Sequence, residues 1–283
     1  MIVSGSTSQA FAAALAEATG RDLAAVEYDR FPDGELQAAV PGFDADRAVV
    51  VAATVSSDAH LELLQLQDAV REAGASEVVT VLPYMGYARQ DEAFTDGEPV
   101  SARAVARAIS TGTDRVLTVN PHEEAVCDFF DVPTEAVDAA GRLAAALPDD
   151  LADPLFLSPD AGAIDLAETV RDAHGGGATD YFEKARDYDT GDVTVEPSDA
   201  PVADRDVVLV DDIVATGSTM AEAVGVLTDR GAARAFVTCV HPLFAGNAGT
   251  KLRRAGVAAL LGTDTIERPL SAVSAAPAVA EHL

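Results

Sequence analysis

Residues 207–219 read VVLVDDIVATGST, and this stretch indicates the fold class of the chain more clearly than any other. The apolar run at 207–210 is typical of a buried strand in a parallel sheet. Two carboxylates follow, and the letters TGST then lead into MAEAVGVL, which has the apolar spacing of a helix. A strand, a short polar loop and a helix in this order predict an α/β unit with a ligand site at the carboxyl end of the strand.

The same stretch predicts an anion site beside a polyol site. Gly217 lets the backbone approach a ligand closely, and the first N–H groups of the following helix carry the positive end of its dipole. Asp211 and Asp212 suit a polyol because carboxylates accept hydrogen bonds from neighbouring hydroxyls. We therefore expect a ribose 5-phosphate group here; the alternative is an ordinary strand-to-helix turn with a capping hydroxyl. A Walker A loop is excluded because no Gly-Lys-Ser/Thr is present.

Composition places the chain among globular proteins. Its 283 residues, 48% of them hydrophobic, allow a large core in one or two domains. No run of about 18 apolar residues exists and the N-terminus lacks a basic segment, so we expect no membrane span and no signal peptide. With Cys127 and Cys239 as the only cysteines, a reducing cytoplasm is the expected location.

The charge balance is strongly acidic, with 47 acidic and 19 basic residues and a net charge of −28. Such a surface should repel nucleic acid. The acidic residues are spread along the whole chain, which indicates a salt-loving host, and we expect molar salt to be needed for folding. Only two lysines occur: Lys251 is expected on a solvated helix face, and Lys184 lies in a segment with more specific features.

Strand and helix patterns alternate almost throughout, which predicts an α/β fold with mostly parallel sheets. The predicted strands include residues 2–4, 48–53, 78–84, 116–120, 155–159, 207–210 and 235–240. The predicted helices include residues 11–18, 59–73, 102–109, 164–174 and 221–229. RVLTVNPHEEAV at 115–126 and RAFVTCVHPLFA at 234–245 each place a histidine after an apolar strand, so we expect a duplicated α/β unit with a boundary near 139–150.

Five further segments carry candidate site residues. FPDGE at 31–35 has the signature of a hairpin turn, although Phe31 offers a flat face to a base. In LPYMGYARQDEAF at 82–94, Arg89 can grip phosphate oxygens and Gln90 can bind a base or a phosphate; the alternative is a plain surface loop. His122 is either structural or near a divalent ion, and Asp160 is either a helix cap or a ligand of magnesium or a sugar.

YFEKARDYDTGD at 181–192 carries two cations two residues apart. In an extended strand Lys184 and Arg186 point the same way, and the glycine-rich HGGG upstream indicates a mobile segment. Such a segment can close over a polyphosphate. The alternative is a surface hairpin with ordinary charges, which we consider less favoured because lysine is so scarce in this chain.

Taken in order, FPDGE, PYMGYARQD, GEPVSARAVA, the His122 and Asp160 segments, Lys184-Ala-Arg186 and DDIVATGST resemble the ribose-phosphate diphosphokinase family over nearly the whole chain. The resemblance implies two similar domains of the type I phosphoribosyltransferase-like fold. These would be residues 1–140, with the tail 268–283 packing on them, for ATP, and residues 141–267 for ribose 5-phosphate. It also implies a homo-oligomer, a dimer or larger, with the ATP site at a subunit interface, and a halophilic archaeon as source.

The resemblance further implies a role for each matching position. Catalysis would involve Lys184 and Arg186. ATP would be bound by Phe31, Asp33, Gly34, Glu35, Arg89, Gln90 and Asp91. Ribose 5-phosphate would be bound by Arg186, Asp211, Asp212, Ala215, Thr216, Gly217, Ser218 and Thr219. Mg²⁺ would be bound by His122 and Asp160.

The implied reaction joins ATP and D-ribose 5-phosphate to give AMP and 5-phospho-α-D-ribose 1-diphosphate for nucleotide biosynthesis. Three positions depart from the family's commoner pattern: Asn120 and Ala215 replace acidic residues, and Glu92 replaces a basic one. Two rival functions are a phosphoribosyltransferase and a catalytically silent regulatory relative. The PYMGYARQD and FPDGE segments argue against the first, and the retained Lys184, Arg186 and His122 argue against the second.

Overall fold

The computed structural model describes the backbone of residues 1–186, 193–197 and 200–283, and the side chains of these residues outside 183–199. Its contacts divide the chain into two compact units. The first unit comprises Met1–Ala139, Asp264–Glu267 and Ser274–Leu283, and the second comprises Ala140–Thr263 and Arg268–Val273. The C-terminal tail is therefore shared between the units, with residues 268–273 in the second and residues 274–283 in the first.

The elements are numbered in chain order, and the first unit holds β1–β7, α1–α3 and α7. Its strands are β1 Ile2–Ser4, β2 Glu27–Arg30, β3 Leu36–Ala39, β4 Arg47–Val51, β5 Glu77–Leu82, β6 Arg115–Val119 and β7 Thr134–Val137. Its helices are α1 Gln9–Thr19, α2 Ser57–Glu72, α3 Ser101–Ser110 and α7 Ala276–Ala280, with a 3₁₀ helix at Glu124–Phe129.

Five parallel strands form the central sheet of the first unit in the order β1-β4-β5-β6-β7. The inner strands are apolar on both faces; Val49, Val50 and Val51 of β4, for example, are fully buried. Such runs favour a parallel sheet covered by helices on each side. The hairpin β2-β3 forms a separate antiparallel pair whose turn contains FPDGE.

The second unit holds β8–β14 and α4–α6. Its strands are β8 Leu155–Ser158, β9 Ala178–Arg186, β10 Val193–Pro197, β11 Asp206–Ile213, β12 Arg234–His241, β13 Ala259–Thr263 and β14 Ser271–Val273. Its helices are α4 Ile164–His174, α5 Ser218–Asp229 and α6 Ala248–Arg254, with 3₁₀ helices at Ala140–Ala146 and Ala161–Ala163.

Seven strands form the second sheet in the order β10-β9-β8-β11-β12-β13-β14. All neighbours run parallel except the outer pair β10-β9. The buried strand β11 lies at the centre, between β8 and β12. Its carboxyl end therefore lies at the middle of the sheet edge where parallel α/β sheets bind ligands.

The observed fold confirms the expected α/β class with mostly parallel sheets. Several strand ends differ by one or two residues from the prediction, and one difference affects the site. The strand β11 does not end at Val210 but continues through the acidic pair, with Asp211 opposite Cys239 and Ile213 opposite His241 on β12. The two carboxylates are thus held by a sheet rather than by a loop. In the described part of the chain, no helix has both the length and the apolar character needed to cross a membrane.

Candidate active site

The TGST loop, residues 216–219, joins β11 to α5 by a tight turn. Gly217 precedes the helix with φ of 67°, a left-handed conformation that favours glycine. A Cβ atom added there would lie 3.2 Å from Leu252 Cδ1, because α6 packs directly behind the turn. The Oγ1 of Thr216 and the Oγ of Ser218 lie 3.3 Å apart. Two hydroxyls and the free N–H end of α5 thus gather at one point, as an anion site requires.

The acidic pair lies immediately before this loop. Asp211 Oδ1 accepts a hydrogen bond from the N–H of Asp212 at 3.0 Å, and Asp212 Oδ1 accepts one from the N–H of Ile213 at 2.7 Å. Burial raises the pKa of Asp211 well above its usual range, and the negative charge of Asp212 adds to the effect. The pair therefore concentrates negative charge that hydroxyl donors or a cation would stabilise.

Asp160 also lies near the acidic pair, where its carboxylate makes a smaller contribution to the raised pKa of Asp211. It caps the 3₁₀ helix Ala161–Ala163, and its Oδ1 accepts a hydrogen bond from the N–H of Gly162 at 3.1 Å. The capping role offered by the sequence is therefore present, and the ligand role stays a prediction.

Lys251 lies on a partly exposed face of α6, as expected, but it also contacts the TGST loop. Its Nζ donates to Ser218 Oγ at 2.6 Å and to the carbonyl of Thr216 at 3.1 Å. Apart from the rarity of lysine, nothing in the sequence indicates this contact. It depends on α6 packing against α5, which brings two positions 33 residues apart into hydrogen-bond distance.

A cavity lies after β5 in the first unit, and hydrogen bonds of Gln90 hold the loop that surrounds it. The N–H of Gln90 donates to the carbonyl of Tyr87 at 2.9 Å, and its side-chain Oε1 accepts from Ser101 Oγ at 2.5 Å. The carbonyl of Gln90 accepts from the N–H of Ala102 at the start of α3. The cavity has a volume of about 550 Å³ and is lined by Tyr84, Tyr87, Arg89, Gln90, Phe94 and Glu98.

Two of the predicted ATP-binding residues, Arg89 and Gln90, thus line one cavity that is large enough for a nucleotide. The third, Asp91, is not among the residues that line it. Sequence reasoning missed the exposed aromatic rings of Tyr87 and Phe94, which are 48% and 61% accessible. Their exposure is the signal that singles them out, because apolar rings of this size are usually covered.

The FPDGE segment forms the turn of the β2-β3 hairpin, as the simpler interpretation predicts. The N–H of Phe31 donates to the carbonyl of Glu35, and the N–H of Gly34 donates to the carbonyl of Phe31, both at 2.8 Å. Asp33 Oδ1 accepts from the N–H of Glu35 at 3.2 Å. These bonds fix the turn, yet the Phe31 ring remains about half exposed and available to a flat partner.

His122 follows β6 at the carboxyl edge of the first sheet, just ahead of the 3₁₀ helix Glu124–Phe129. Two positions earlier, Asn120 has φ of 33° and its side chain spans two strand ends. Its Nδ2 donates to Asp138 Oδ1 and its Oδ1 accepts from the N–H of Ala139, both at 2.8 Å. An acidic residue at position 120 could not donate to Asp138, so this departure from the family pattern has a local structural role.

The remaining predicted residues are only partly described. Lys184 and Arg186 lie on the described backbone of β9, but their side chains fall outside the described residues. Where side chains are described, the structure contains no cluster of three or more His, Cys, Asp or Glu residues arranged as a metal site. Magnesium would therefore need oxygen ligands from elsewhere, such as substrate phosphates and water, as is usual for this ion.

Comparison with known proteins identifies the family. Residues 1–112 match the family model of the N-terminal domain of ribose phosphate pyrophosphokinase, and residues 133–270 match that of the phosphoribosyl transferase domain. The chain belongs to the ribose-phosphate pyrophosphokinase family. Since a phosphoribosyltransferase needs no such N-terminal domain, the match over residues 1–112 argues against that rival function.

Individual relatives agree with this assignment. A ribose-phosphate pyrophosphokinase of Halobacterium salinarum is 66% identical over 100% of both chains, and one of Methanosarcina mazei is 41% identical over 100% of this chain and 94% of its own. The crystal structure of phosphoribosylpyrophosphate synthetase from Mycobacterium smegmatis matches with a TM-score of 0.82 at 26% identity, covering 100% of this chain and 96% of that one.

These findings confirm the family, the phosphoribosyltransferase-like fold class and the ribose-phosphate diphosphokinase function predicted by the motifs. The expected halophilic archaeal origin is supported by the Halobacterium relative. The roles of individual site residues, the domain boundaries and the oligomer stay predictions.

Proposed function

We propose that the second unit binds ribose 5-phosphate at the end of β11 and that the first unit binds ATP, so that the β,γ-diphosphoryl group passes to the sugar. The observation that carries this proposal is the succession of Asp211, Asp212 and the TGST loop at the centre of the second sheet. Carboxylates for a diol and an anion-binding turn for a phosphate follow one another there, as the two ends of one pentose phosphate require.

In this proposal the neighbouring hydroxyls of the pentose donate to Asp211 and Asp212 and stabilise carboxylates that burial and mutual repulsion disfavour. The 5-phosphate accepts from the N–H groups at the start of α5 and from the hydroxyls of Thr216, Ser218 and Thr219. Ala215 and Gly217 contribute backbone N–H groups alone, so the alanine at 215 is compatible with binding.

The proposed nucleotide site is the cavity beside α3. Arg89 would hold the phosphates, because a guanidinium grips two phosphate oxygens at once. Gln90, whose Oε1 already accepts from Ser101, would offer its amide N–H groups to the nucleotide. Phe31, Asp33, Gly34 and Glu35 would contact ATP from the hairpin turn, and Asp91 would support the same loop. An adenine ring can stack on an exposed aromatic ring of the kind found here.

Magnesium would take part of its coordination from carboxylates at the second-unit edge and the rest from substrate phosphates and water. Asp160 and Asp211 offer carboxylate oxygens, the ligand type this ion prefers, and their mutual repulsion is a reason for a cation to bind. We propose Asp160 as a ligand and His122 as a contact to the magnesium that ATP carries. When bound, the ion would neutralise charge on the phosphate oxygens.

The chemistry is a displacement at phosphorus. The anomeric oxygen of ribose 5-phosphate forms a bond to the β-phosphorus, the bond from that phosphorus to the α,β-bridging oxygen breaks, and AMP leaves with that oxygen while the hydroxyl proton is released. Such transfers depend on positioning and charge neutralisation more than on covalent help. Lys184 and Arg186 would stabilise the charge that grows on the leaving oxygen.

We further propose the domain boundaries given by the resemblance, residues 1–140 with the tail 268–283, and residues 141–267. A homo-oligomer with the ATP site at a subunit interface and a cytoplasmic location are proposed on the same basis.

The proposed function is tested by an assay for AMP. The purified protein, in molar salt with Mg-ATP and ribose 5-phosphate, should form AMP in amounts equal to 5-phosphoribosyl 1-diphosphate, and no AMP should form when the sugar is omitted.

A further inference from the structure

We propose that Lys251 is a positioning residue that determines the affinity for the phosphate of the sugar substrate, by fixing the TGST loop. This inference rests on the proposed function of that loop. The ammonium of Lys251 makes two contacts with the loop, a donation to Ser218 Oγ at 2.6 Å and one to the carbonyl of Thr216 at 3.1 Å. It thus joins the residues on either side of Gly217, the point at which the chain turns into α5.

The backbone that carries Lys251 is itself tied to the loop. The N–H groups of Phe244 and Ala245, ahead of α6, donate to the carbonyls of Val214 and Ala215, both at 2.9 Å. Behind the turn, Leu252 lies close to Gly217. The helix and the loop therefore form one packed element, and two hydrogen bonds hold the Lys251 ammonium at a defined place on its surface.

The hydrogen-bond roles follow from the chemistry of the ammonium. Lysine only donates, so Ser218 Oγ must accept from Lys251. The hydroxyl hydrogen of Ser218 is then directed elsewhere, either to Thr216 Oγ1 at 3.3 Å or to an incoming anion. Lys251 thereby makes Ser218 a donor toward the site, which is the role that a phosphate oxygen needs.

Charge supports the same conclusion. Asp160, Asp211 and Asp212 place three carboxylates near one another on this edge of the sheet, and a doubly charged phosphate must bind beside them. A cation in contact with the loop offsets this repulsion. It does so in a chain with 47 acidic residues and only two lysines, where an unneeded lysine on this helix would be unusual.

The test compares Lys251→Gln with Arg253→Gln. Both substitutions remove one positive charge from α6, but Arg253 is exposed and lies outside the loop, so it controls for net charge. Lys251 lines a surface cavity of about 350 Å³, so its replacement leaves the core filled. Lys251→Gln should raise the KM for ribose 5-phosphate roughly 10-fold, equivalent to about 1.4 kcal/mol, with the KM for ATP within about twofold of the parent. Arg253→Gln should leave both constants within about twofold.

Two further variants separate a positioning role from general support of the fold. Lys251→Arg keeps charge and donors and should restore most of the affinity. Ser218→Ala removes the acceptor of the Lys251 hydrogen bond. The double variant should therefore raise the KM for ribose 5-phosphate by less than the product of the two single fold-changes. Where Lys251→Gln fails to fold, Lys251→Met, which keeps the unbranched stem, takes its place in the same comparison.

An unchanged KM for ribose 5-phosphate in Lys251→Gln would overturn the inference, as would an equal rise of both KM values. Neither result would affect the proposed function, which is judged on the parent protein. If the parent protein forms no AMP at all, the proposed function fails, and the inference about Lys251 fails with it.

Discussion

The carboxylate of Asp206 and the guanidinium of Arg234 form a two-point ion pair at the start of β11 and β12, the strands at the centre of the second sheet. Arg234 Nε donates to Asp206 Oδ1 at 2.9 Å and Nη2 donates to Oδ2 at 2.6 Å. Asp206 is only 1% exposed and also accepts from the N–H of Ala152 at 2.6 Å. This ion pair joins the amino-terminal ends of β11 and β12. Asp211, Asp212 and the TGST loop lie at the opposite, carboxyl-terminal end of β11.

Asp206→Asn should destabilise the protein by about 2 kcal/mol, because the new amide group places a donor against the donors of Arg234 or Ala152. The matched control is Asp150→Asn. Asp150 also lies near Arg234, at 3.4 Å, but its side chain is 78% exposed, so we expect a change below about 0.5 kcal/mol. Chemical unfolding of both variants in molar salt measures the difference.

The same pair gives a pH dependence with a definite sign. Hydrogen bonds from Arg234 hold the pKa of Asp206 below its usual range. A carboxyl whose pKa is lowered by folding stabilises the protein above the unfolded pKa, about 4, and this contribution is lost as the pH falls through the folded value. The stability difference between parent and Asp206→Asn should therefore shrink below about pH 4, and a difference that grows toward acid would contradict the assignment.

Asp211→Asn should stabilise the unliganded protein while it weakens sugar binding. Burial and Asp212 raise the pKa of Asp211, so the ionised form opposes folding, and the stability this group contributes is lost as the pH rises through the folded pKa. We expect a gain of roughly 1 kcal/mol at pH 7. Thermal unfolding measures it, with the exposed Asp44→Asn as the control for removing one charge. A less stable Asp211→Asn would show that the carboxylate is structural.

Gly217→Ala should reduce both stability and ribose 5-phosphate affinity. The residue has a left-handed φ of 67°, and a Cβ atom would approach Leu252 at 3.2 Å, so α6 and the loop must separate. Gly256→Ala separates the two effects, since Gly256 has φ of 92° but nothing within 4 Å of the added Cβ. We expect about 1 kcal/mol from strain alone at Gly256 and a larger loss at Gly217. Equal losses would mean that the packing behind the TGST loop is unimportant.

Lys184→Ala should lower turnover by about 100-fold or more, equivalent to about 3 kcal/mol of barrier, if the ammonium stabilises the departing AMP oxygen. Folding should be unaffected. Steady-state rates with saturating substrates, together with circular dichroism, give both readings. A fully active variant would remove this lysine from the mechanism.

Salt should control folding. With a net charge of −28, the acidic side chains repel one another strongly in dilute buffer. The screening length is about 30 Å at 0.01 M ionic strength but only about 3 Å at 1 M, so salt weakens this repulsion. We expect the melting temperature to fall as the salt concentration is lowered from molar to millimolar. An unchanged melting temperature over this range would mean that repulsion between the acidic side chains does not destabilise the fold in dilute buffer.

The sequence predicted what depends on local pattern and missed what depends on distant packing. The apolar run at 207–210 correctly indicated a buried strand, and the turn residues of FPDGE correctly indicated a hairpin. The extension of β11 through Asp211 and Asp212 was missed, because hydrogen bonding to β12 continues where the apolar pattern stops.

Long-range contacts account for the remaining errors and omissions. Lys251 meets Ser218 only because α6 packs behind the loop, and Asn120 bridges to Asp138 only because β6 and β7 are neighbours in the sheet. No spacing rule within a single segment contains such information. The rarity of lysine is the sequence feature that still points to these residues, because both lysines of the chain lie in segments that carry the proposed site.

The central claim is most directly tested by phosphorus NMR of the protein in molar salt with Mg-ATP and ribose 5-phosphate. We predict that AMP and 5-phosphoribosyl 1-diphosphate appear together in equal amounts, with the two transferred phosphorus atoms still joined to each other. Formation of ADP with a singly phosphorylated sugar product, or no sugar-dependent consumption of ATP, would contradict the account.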